Sequence, residues 1–336
     1  MSQQFNVQLG LCCMNISLRK NKPSIYSSRT IRLKQLDTQG IDELKRRANQ
    51  NLDDLIKLIE WNEINNIKVF RLSSEIFPHI SNPVVPFYGF EFAMQKLQQI
   101  GQLANKYGQR LTFHPGQYNV LGTPKRSILE KTIIELDLHA ELLDLLEQEQ
   151  NGVIVIHGGG VYGDKKSTMK RWVDNFSLLN IKTQKRLVLE CCEKNYSCED
   201  CLEISKMVFN QYGFYLPVVL DTHHYNCYTQ LHPNEIQKPM VDLIPLVLDT
   251  WIKRNIKPKF HVSEQGSGRI GHHSDFIKVL PKELLEIPDK YKMSIDIMIE
   301  AKMKEQAILK LYGIYPHLDK IISNKPNLDK LFTISI

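Results

Sequence analysis

The sequence predicts an α/β protein, a single (β/α)8 TIM barrel, and three observations lead there. Eight short apolar runs recur along the 336 residues, amphipathic stretches separate them, and metal-ligating side chains follow directly on six of the runs. Nearly all-apolar strands suit a parallel sheet covered on both faces, and a barrel gathers all its strand ends on one face. No Pro/Gly/Ser-rich linker, close internal repeat or low-complexity tract divides the chain. We therefore expect one barrel domain over 1–312, with 313–336 as an extension packed on it or trailing it.

Taken in order, strands are expected at 6–10, 67–72, 109–113, 152–157, 186–190, 216–221, 258–263 and 294–300. Each is a short apolar run, and helical patterns lie between them, which makes a repeating βα unit. The clearest helices are NLDDLIKLIEWNEI (51–64), FEFAMQKLQQIGQLANKY (90–107), ILEKTIIELDLHAELLDLLEQ (128–148) and CEDCLEISKMVFNQY (198–212). In each, apolar residues recur three or four apart with charged residues between them, the stripe of a helix packed on one side. A doubly wound open sheet is the rival fold; it needs no eighth strand, and MSIDIMIEAK supplies one.

The formal net charge is +6, and its distribution says more than its size. No acidic residue precedes Asp37, while Arg19, Lys20, Lys22, Arg29, Arg32 and Lys34 supply six positive charges beside Pro23. This reads as a basic loop after the first strand, either lying along a phosphate backbone or simply solvated. Seven scattered cysteines lack the framework of a small secreted domain, so free thiols in a reducing compartment are expected. Cys198-Glu-Asp-Cys201 has zinc spacing but no second pair. No run approaches the ~20 apolar residues of a membrane span, and MSQQFNVQLG lacks the features of a secretion signal. A soluble, intracellular monomer is expected, with no obligate protein partner and no membrane.

The side chains past the apolar runs are His114 after RLTF, His157 after VIVI, Glu190 after RLVL, Asp221 after VVL, His261 after PKF and Glu300 after IDIMI. To these we add the second histidine of Asp221-Thr-His-His224 and one of the pair in Gly271-His-His-Ser-Asp275. Imidazoles and carboxylates together suit divalent transition metals, and a cluster of that size can hold more than one, as suits phosphoester hydrolysis. His79, His139, His232 and His317 lack such placement and read as surface or packing residues. In Gly158-Gly-Gly160-Val-Tyr-Gly163-Asp-Lys165, Asp164 stands where a phosphate loop needs lysine. Those glycines are expected to leave room for a ligand beside His157. His114-Pro-Gly-Gln-Tyr118 is a tight turn past a strand end. It is either an ordinary βα turn with Tyr118 capping the barrel, or a tip whose ring enters a base stack.

In order, LGLCCMNISLRK, FRLSSEIFPHISNP, RLTFHPGQY, VIVIHGGG, LVLECCEKNYSCEDCL, VVLDTHHYN, KFHVSEQ, GHHSD and MIEAKMKEQA closely resemble the UV damage endonuclease family over about 6–312. That family is similar in fold and metal cluster to apurinic endonucleases of the endonuclease-four type. The resemblance implies a barrel whose long βα loops form a DNA-binding groove. It implies an enzyme that nicks damaged double-stranded DNA immediately 5′ to a cyclobutane dimer or 6-4 photoproduct, leaving a 3′ hydroxyl. It further implies metal ligands at His114, His157, Glu190, Asp221, His224, His261, His273 and Glu300, holding two or three divalent ions, Mn2+ first and Zn2+ next. Glu190, Glu300 and Lys259 take catalytic roles in this reading. Lys259 shares a strand face with His261 by alternation and either contacts phosphate or, carboxylated, serves the metals. Gln117 and Tyr118 match the family's probing residues. Arg19, Lys20, Lys22 and Arg71 are further candidates for DNA contact, Arg71 alternatively forming a strand-end ion pair. Asn82 departs from the family pattern, which has a histidine ligand there, and an amide oxygen is the poorer ligand. Three other readings stay open: an apurinic endonuclease, a metal-dependent sugar isomerase, and a damage-binding protein impaired in catalysis through Asn82.

Overall fold

The computed structural model describes residues 5–319. All eight expected strands form: β1 (Val7–Cys12), β2 (Val69–Arg71), β3 (Arg110–Thr112), β4 (Ile154–His157), β5 (Leu187–Glu190), β6 (Val218–Val219), β7 (Lys259–Val262) and β8 (Ile295–Ile299). They are parallel and make a five-stranded sheet, β3-β2-β1-β8-β7, and a three-stranded sheet, β4-β5-β6. Two isolated parallel bridges, Phe113 to Ile154 and Asp221 to His261, connect the sheets at their two seams.

Register decides which side chains meet, because paired residues of parallel strands leave the sheet on the same face. His157 pairs with Glu190 across β4 and β5, and the second bridge sets Asp221 beside His261. Four candidate ligands are thus placed two by two by backbone pairing alone. The strands are buried almost throughout, and one continuous apolar core runs from Val7 to Leu318.

The helices Met94–Lys106, Arg126–Leu145 and Cys198–Tyr212 fall where the periodicity puts them. The first helical layer is longer than the expected 51–64: it spans Leu33–Ile64 with non-helical backbone at Gly40 (φ 71°, ψ 179°). Its first half hides from sequence because few apolar residues carry it; Leu36, Leu44 and Ala48 are buried while Arg46 and Arg47 both pair with Glu43. Ser197 and Asp200 form a reciprocal capping box on the helix Cys198–Tyr212, a device that fixes a helix start. That places Cys198 and Cys201 in its first turn, buried in the core with free thiols. All seven cysteines are free.

The last described helix, Lys304–Ile314, crosses the expected boundary at 312 and leads into a short turn at Pro316–Leu318. Tyr312 donates to the Asn66 carbonyl (2.8 Å), and Asn66 Nδ2 donates to the Leu318 carbonyl (3.2 Å), tying this end to the chain before β2. Residues 320–336 of the expected extension lie outside the described residues. No described helix is long and apolar enough to cross a membrane.

Candidate metal centre and nucleic-acid face

Six of the eight candidate ligands stand at or beside strand ends, while His224 lies in a helix and His273 in the loop after β7, bridged to Gln265. His157 and Glu190 close β4 and β5, His261 lies within β7, Glu300 follows β8, and His114 stands two residues past β3. Asp221 caps the helix Thr222–Leu231: its Oδ1 accepts from His223 N (2.7 Å) and His224 N (2.8 Å), which brings His224 back over the strand end in the first turn.

Glu190 is the hub. Its Oε2 lies 2.7 Å from His114 Nε2 and 3.8 Å from His157 Nε2; its Oε1 lies 2.8 Å from His261 Nδ1 and 3.6 Å from His224 Nδ1. Glu300 stands 3.4 Å from His261 Nδ1 and 4.0 Å from His273 Nε2. Three overlapping triads, His114/His261/Glu300, His114/His157/Glu190 and Glu190/Asp221/His261, each hold their ligand atoms within 4.8 Å of one another.

The donor set fits cations. His157 Nδ1, Glu190 Oε2 and Asp221 Oδ2 are buried without a hydrogen-bond partner, and orphaned buried polar atoms are costly unless something occupies them. Glu190 Oε2 and His114 Nε2 approach at 2.7 Å yet are not aligned to hydrogen bond, as expected of two ligands aimed at a third point. Burial opposes charge on His224, yet the carboxylates of Asp221, Glu190 and Glu300 carry it up to about 9, so the site is short of positive charge. Burial pushes His157 down to about 4, leaving a neutral imidazole with a free lone pair. Burial also opposes charge on Glu190, but His261, His157 and His114 hold its carboxyl well below the usual range. These His/Glu/Asp clusters are consistent with divalent metals.

Lys259 is fully buried, with Nζ 2.7 Å from His261 Nε2, on the shared face that strand alternation requires. Burial, then Arg71 and Arg110, push its pKa down to about 8. Arg71 is turned inward: Nη1 pairs with Glu300 Oε1 at 2.5 Å, the side chains being 16% and 9% exposed. Of its two expected roles the structure shows the ion pair, because an unpaired Glu300 would be an isolated charge beside Glu190. Asn82 is not brought to the cluster. Its amide meets His79 Nδ1 (3.4 Å) and Val84 N (3.2 Å), and it lines a separate cavity whose walls include none of the eight ligand candidates.

The basic loop is anchored rather than loose. Glu305, fully buried, accepts from Ile16 N (2.7 Å) and from Ser17 N and Oγ (both 2.8 Å). Nothing in the sequence pattern marks that role. Arg29 is a correction to the loop's count of free charges: it pairs with Asp54 at 2.5 Å and covers the Tyr26 ring at 4.0 Å. Arg19, Lys20, Lys22, Arg32 and Lys34 remain exposed. Tyr118 is 65% exposed at the lip of the Asn82 cavity, and Gln117 lines both that cavity and a smaller one reaching His157. Gly158 and Gly159 make room for protein, a Cβ on them standing 2.6 Å from the Tyr196 ring and 2.5 Å from Val120, while Gly159 and Gly160 also line the cavity beside His157.

The family model described as UV-endonuclease UvdE matches residues 7–327. The chain belongs to that family. Among curated relatives of this UvdE-family chain, the UV-damage endonuclease of Schizosaccharomyces pombe is 35% identical over 321 residues, covering 92% of this chain and 50% of the relative. The UV DNA damage endonuclease of Clostridium perfringens is 34% identical over 306 residues, covering 90% and 71%. A protein of Acanthamoeba polyphaga mimivirus is 36% identical, covering 96% and 95%. The chain therefore spans about half the length of the fission-yeast relative and nearly all of the viral one. The crystal structure of SacUVDE superposes with TM-score 0.78 at 28% identity, covering 94% of this chain and all of that one. An L-ribulose 3-epimerase (TM-score 0.50, 12% identity, 79% and 81% covered) shares the fold alone.

Proposed function

We propose that this protein is a metal-dependent DNA repair endonuclease that nicks the phosphodiester immediately 5′ to UV lesions and leaves a 3′ hydroxyl. The observation that carries the reading is the cluster of orphaned, buried ligand atoms at the strand ends, standing beside an exposed Gln117–Tyr118 turn. Both seams between the two sheets are bridged, which supports closure of the eight strands into one barrel with its βα loops forming a DNA groove.

His114, His157, Glu190, Asp221, His224, His261, His273 and Glu300 would hold two or three divalent ions, Mn2+ before Zn2+ on the mixed imidazole and carboxylate donors. When bound, such ions supply Lewis acidity toward the phosphate and an acidified water. Arg71 fixes Glu300 so that its second oxygen faces His273. If His261 ligates through Nδ1, its Nε2 must carry the proton and donate it. Lys259 Nζ, 2.7 Å away, accepts only as a neutral amine, and its depressed pKa favours loss of the ammonium. The alternative roles for Lys259 are contact with a phosphate as the ammonium or, once carboxylated, service to the ions, to which its carbamate oxygens would be offered. Gln117 and Tyr118 enter the duplex where stacking is already weakened, because a distorted site costs less to open. Arg19, Lys20 and Lys22 follow the backbone. The protein acts inside the cell as a monomer, and Asn82 is dispensable for the cluster.

The test is nicking of matched duplexes carrying one thymine dimer, one abasic site or no lesion, with the cut mapped and its end extended by a polymerase. Cleavage directly 5′ to the dimer with an extendable end is expected. Strong preference for the abasic duplex would move the reading to an apurinic endonuclease, and tight binding without a nick to a damage-binding protein.

A further inference from the structure

Of the eight candidate ligands, His273 has the least support from the fold. The other seven stand at or beside strand ends or on the helix Thr222–Leu231, whereas His273 sits on a hairpin after β7. No residue from Glu264 to Asp275 is buried, so apolar packing does not hold that hairpin in place. A cavity of about 430 Å³ opens beside it, lined by His223, Cys227 and Gln265 among others.

Hydrogen bonds hold the hairpin instead. At its base Ser274 N donates to the Glu264 carbonyl (2.8 Å), and Lys278 N and Val279 N donate to Glu264 Oε1 (2.7 and 3.1 Å). Toward the tip Gly266 N donates to the His272 carbonyl (2.6 Å). The two limbs run so close there that a Cβ on Gly266 would stand 2.2 Å from the His273 carbonyl oxygen.

One side chain ties the turn. Gln265 Oε1 accepts from Gly271 N (3.0 Å), while its Nε2 donates to the Gly266 carbonyl (2.9 Å) and the Arg269 carbonyl (3.0 Å). An amide carries the acceptor and the two donors that this span requires. Gln265 and His273 also face each other across an antiparallel bridge, so fixing one backbone fixes the other. His272 is engaged within the same turn: its Nδ1 lies 3.3 Å from the Ser267 carbonyl, and its Nε2 accepts from Arg269 Nε (3.1 Å). His273 is left for the cluster, with its ring edge-on to His223 (centroids 5.6 Å apart) and its Nε2 4.0 Å from Glu300 Oε2.

We propose that Gln265 is a positioning residue that delivers His273 to the metal cluster by tying the turn that carries it. The proposal rests on the metal-dependent reading above. Gln265 ligates no ion itself; it acts through His273 on the affinity of the ion that His273 helps to hold.

The experiment titrates metal-free protein with Mn2+ and reads the unbound ion by electron paramagnetic resonance, for wild type, Gln265→Met, His273→Ala and the double variant. Methionine keeps the length of the side chain and removes every amide hydrogen bond. Losing a residue that orients a ligand costs about 10–100-fold in metal affinity. Gln265→Met is therefore expected to weaken one Mn2+ site by about ten-fold or more, with Tm in chelator within about 1 °C of wild type. In the His273→Ala background the same change is expected to cost less than about two-fold, because the ligand it positions is gone. Equal weakening in both backgrounds, or an unchanged titration for Gln265→Met, overturns the positioning role. A wild-type protein that takes up no Mn2+ overturns the metal-dependent reading and this role with it. The titration needs no DNA, so a failure to nick damaged duplex counts against the endonuclease reading alone.

Discussion

Replacing Arg71 by methionine isolates the charge balance of the site. The guanidinium meets Glu300 at 2.5 Å with both side chains largely shielded. At an effective dielectric near 20 the gross attraction at that separation is about 7 kcal/mol. Much of it is offset by desolvation, and removing one partner of a buried pair typically costs about 3–5 kcal/mol, because the survivor is left charged and unpaired. A chain of 336 residues unfolds with an entropy of about 0.7 kcal/mol/K, so that destabilisation lowers Tm by roughly 4–7 °C. The effect should depend on metal, since Glu300 stands in a candidate ligand triad. A bound cation compensates the orphaned carboxylate, and the Tm difference between wild type and Arg71→Met should shrink to about half when Mn2+ replaces chelator. Calorimetry with the two proteins in chelator and in saturating Mn2+ measures all four values. An Arg71→Met protein melting within about 1 °C of wild type in chelator, or destabilised by the same amount with and without metal, would refute the reasoning.

Arg29→Ala leaves Asp54 with Lys57 at 2.9 Å and Tyr26 N at 3.2 Å, so it should cost only about 1.5–3 kcal/mol, the worth of a hydrogen bond to a charged group, yet leave the salt dependence of DNA binding unchanged. Lys20→Gln with Lys22→Gln should leave Tm unchanged and make log K against log salt shallower by about 0.9 for each phosphate that is no longer neutralised. Burial pushes His139 below its ordinary value of 6.5, with Glu135 opposing. As pH falls through 6.5 the unfolded chain takes up a proton the folded one resists, so stability present above 6.5 is lost at up to about 1.4 kcal/mol per pH unit. His139→Gln should flatten the acid limb of Tm against pH by that amount, and identical limbs would exclude the assignment. Asn82→Ala should leave the number of bound metal ions unchanged by elemental analysis, whereas Glu190→Gln should lower it.

The strands were legible because each is a short apolar run bounded by polar residues, and the ligand candidates because a strand end fixes direction without tertiary knowledge. Those candidates gather around Glu190, with His273 reaching the group through Glu300. Partnership was not legible. Arg71 and Arg29 read as cations available to DNA, and only packing shows that Glu300 and Asp54 neutralise them. Gly158 and Gly159 signal missing side chains, but sequence cannot say that Tyr196 and Val120 stand where a Cβ on them would go. Glu305 stays hidden because a buried carboxylate in a helix start carries no periodic signal. The helix before residue 51 is equally hidden, because its buried stripe is sparse and Gly40 interrupts it.

If the buried cluster around Glu190 holds metal ions that serve DNA cleavage at a lesion, removing the ions and removing the hub must each abolish the nick. The most direct test is nicking of an end-labelled duplex with one thymine dimer by chelated protein, before and after Mn2+ is restored, with Glu190→Gln alongside. No cut is expected in chelator, a cut directly 5′ to the dimer with Mn2+, and none from Glu190→Gln under either condition. A cut that persists in chelator, or that Glu190→Gln makes at the wild-type rate, would contradict the metal-dependent reading.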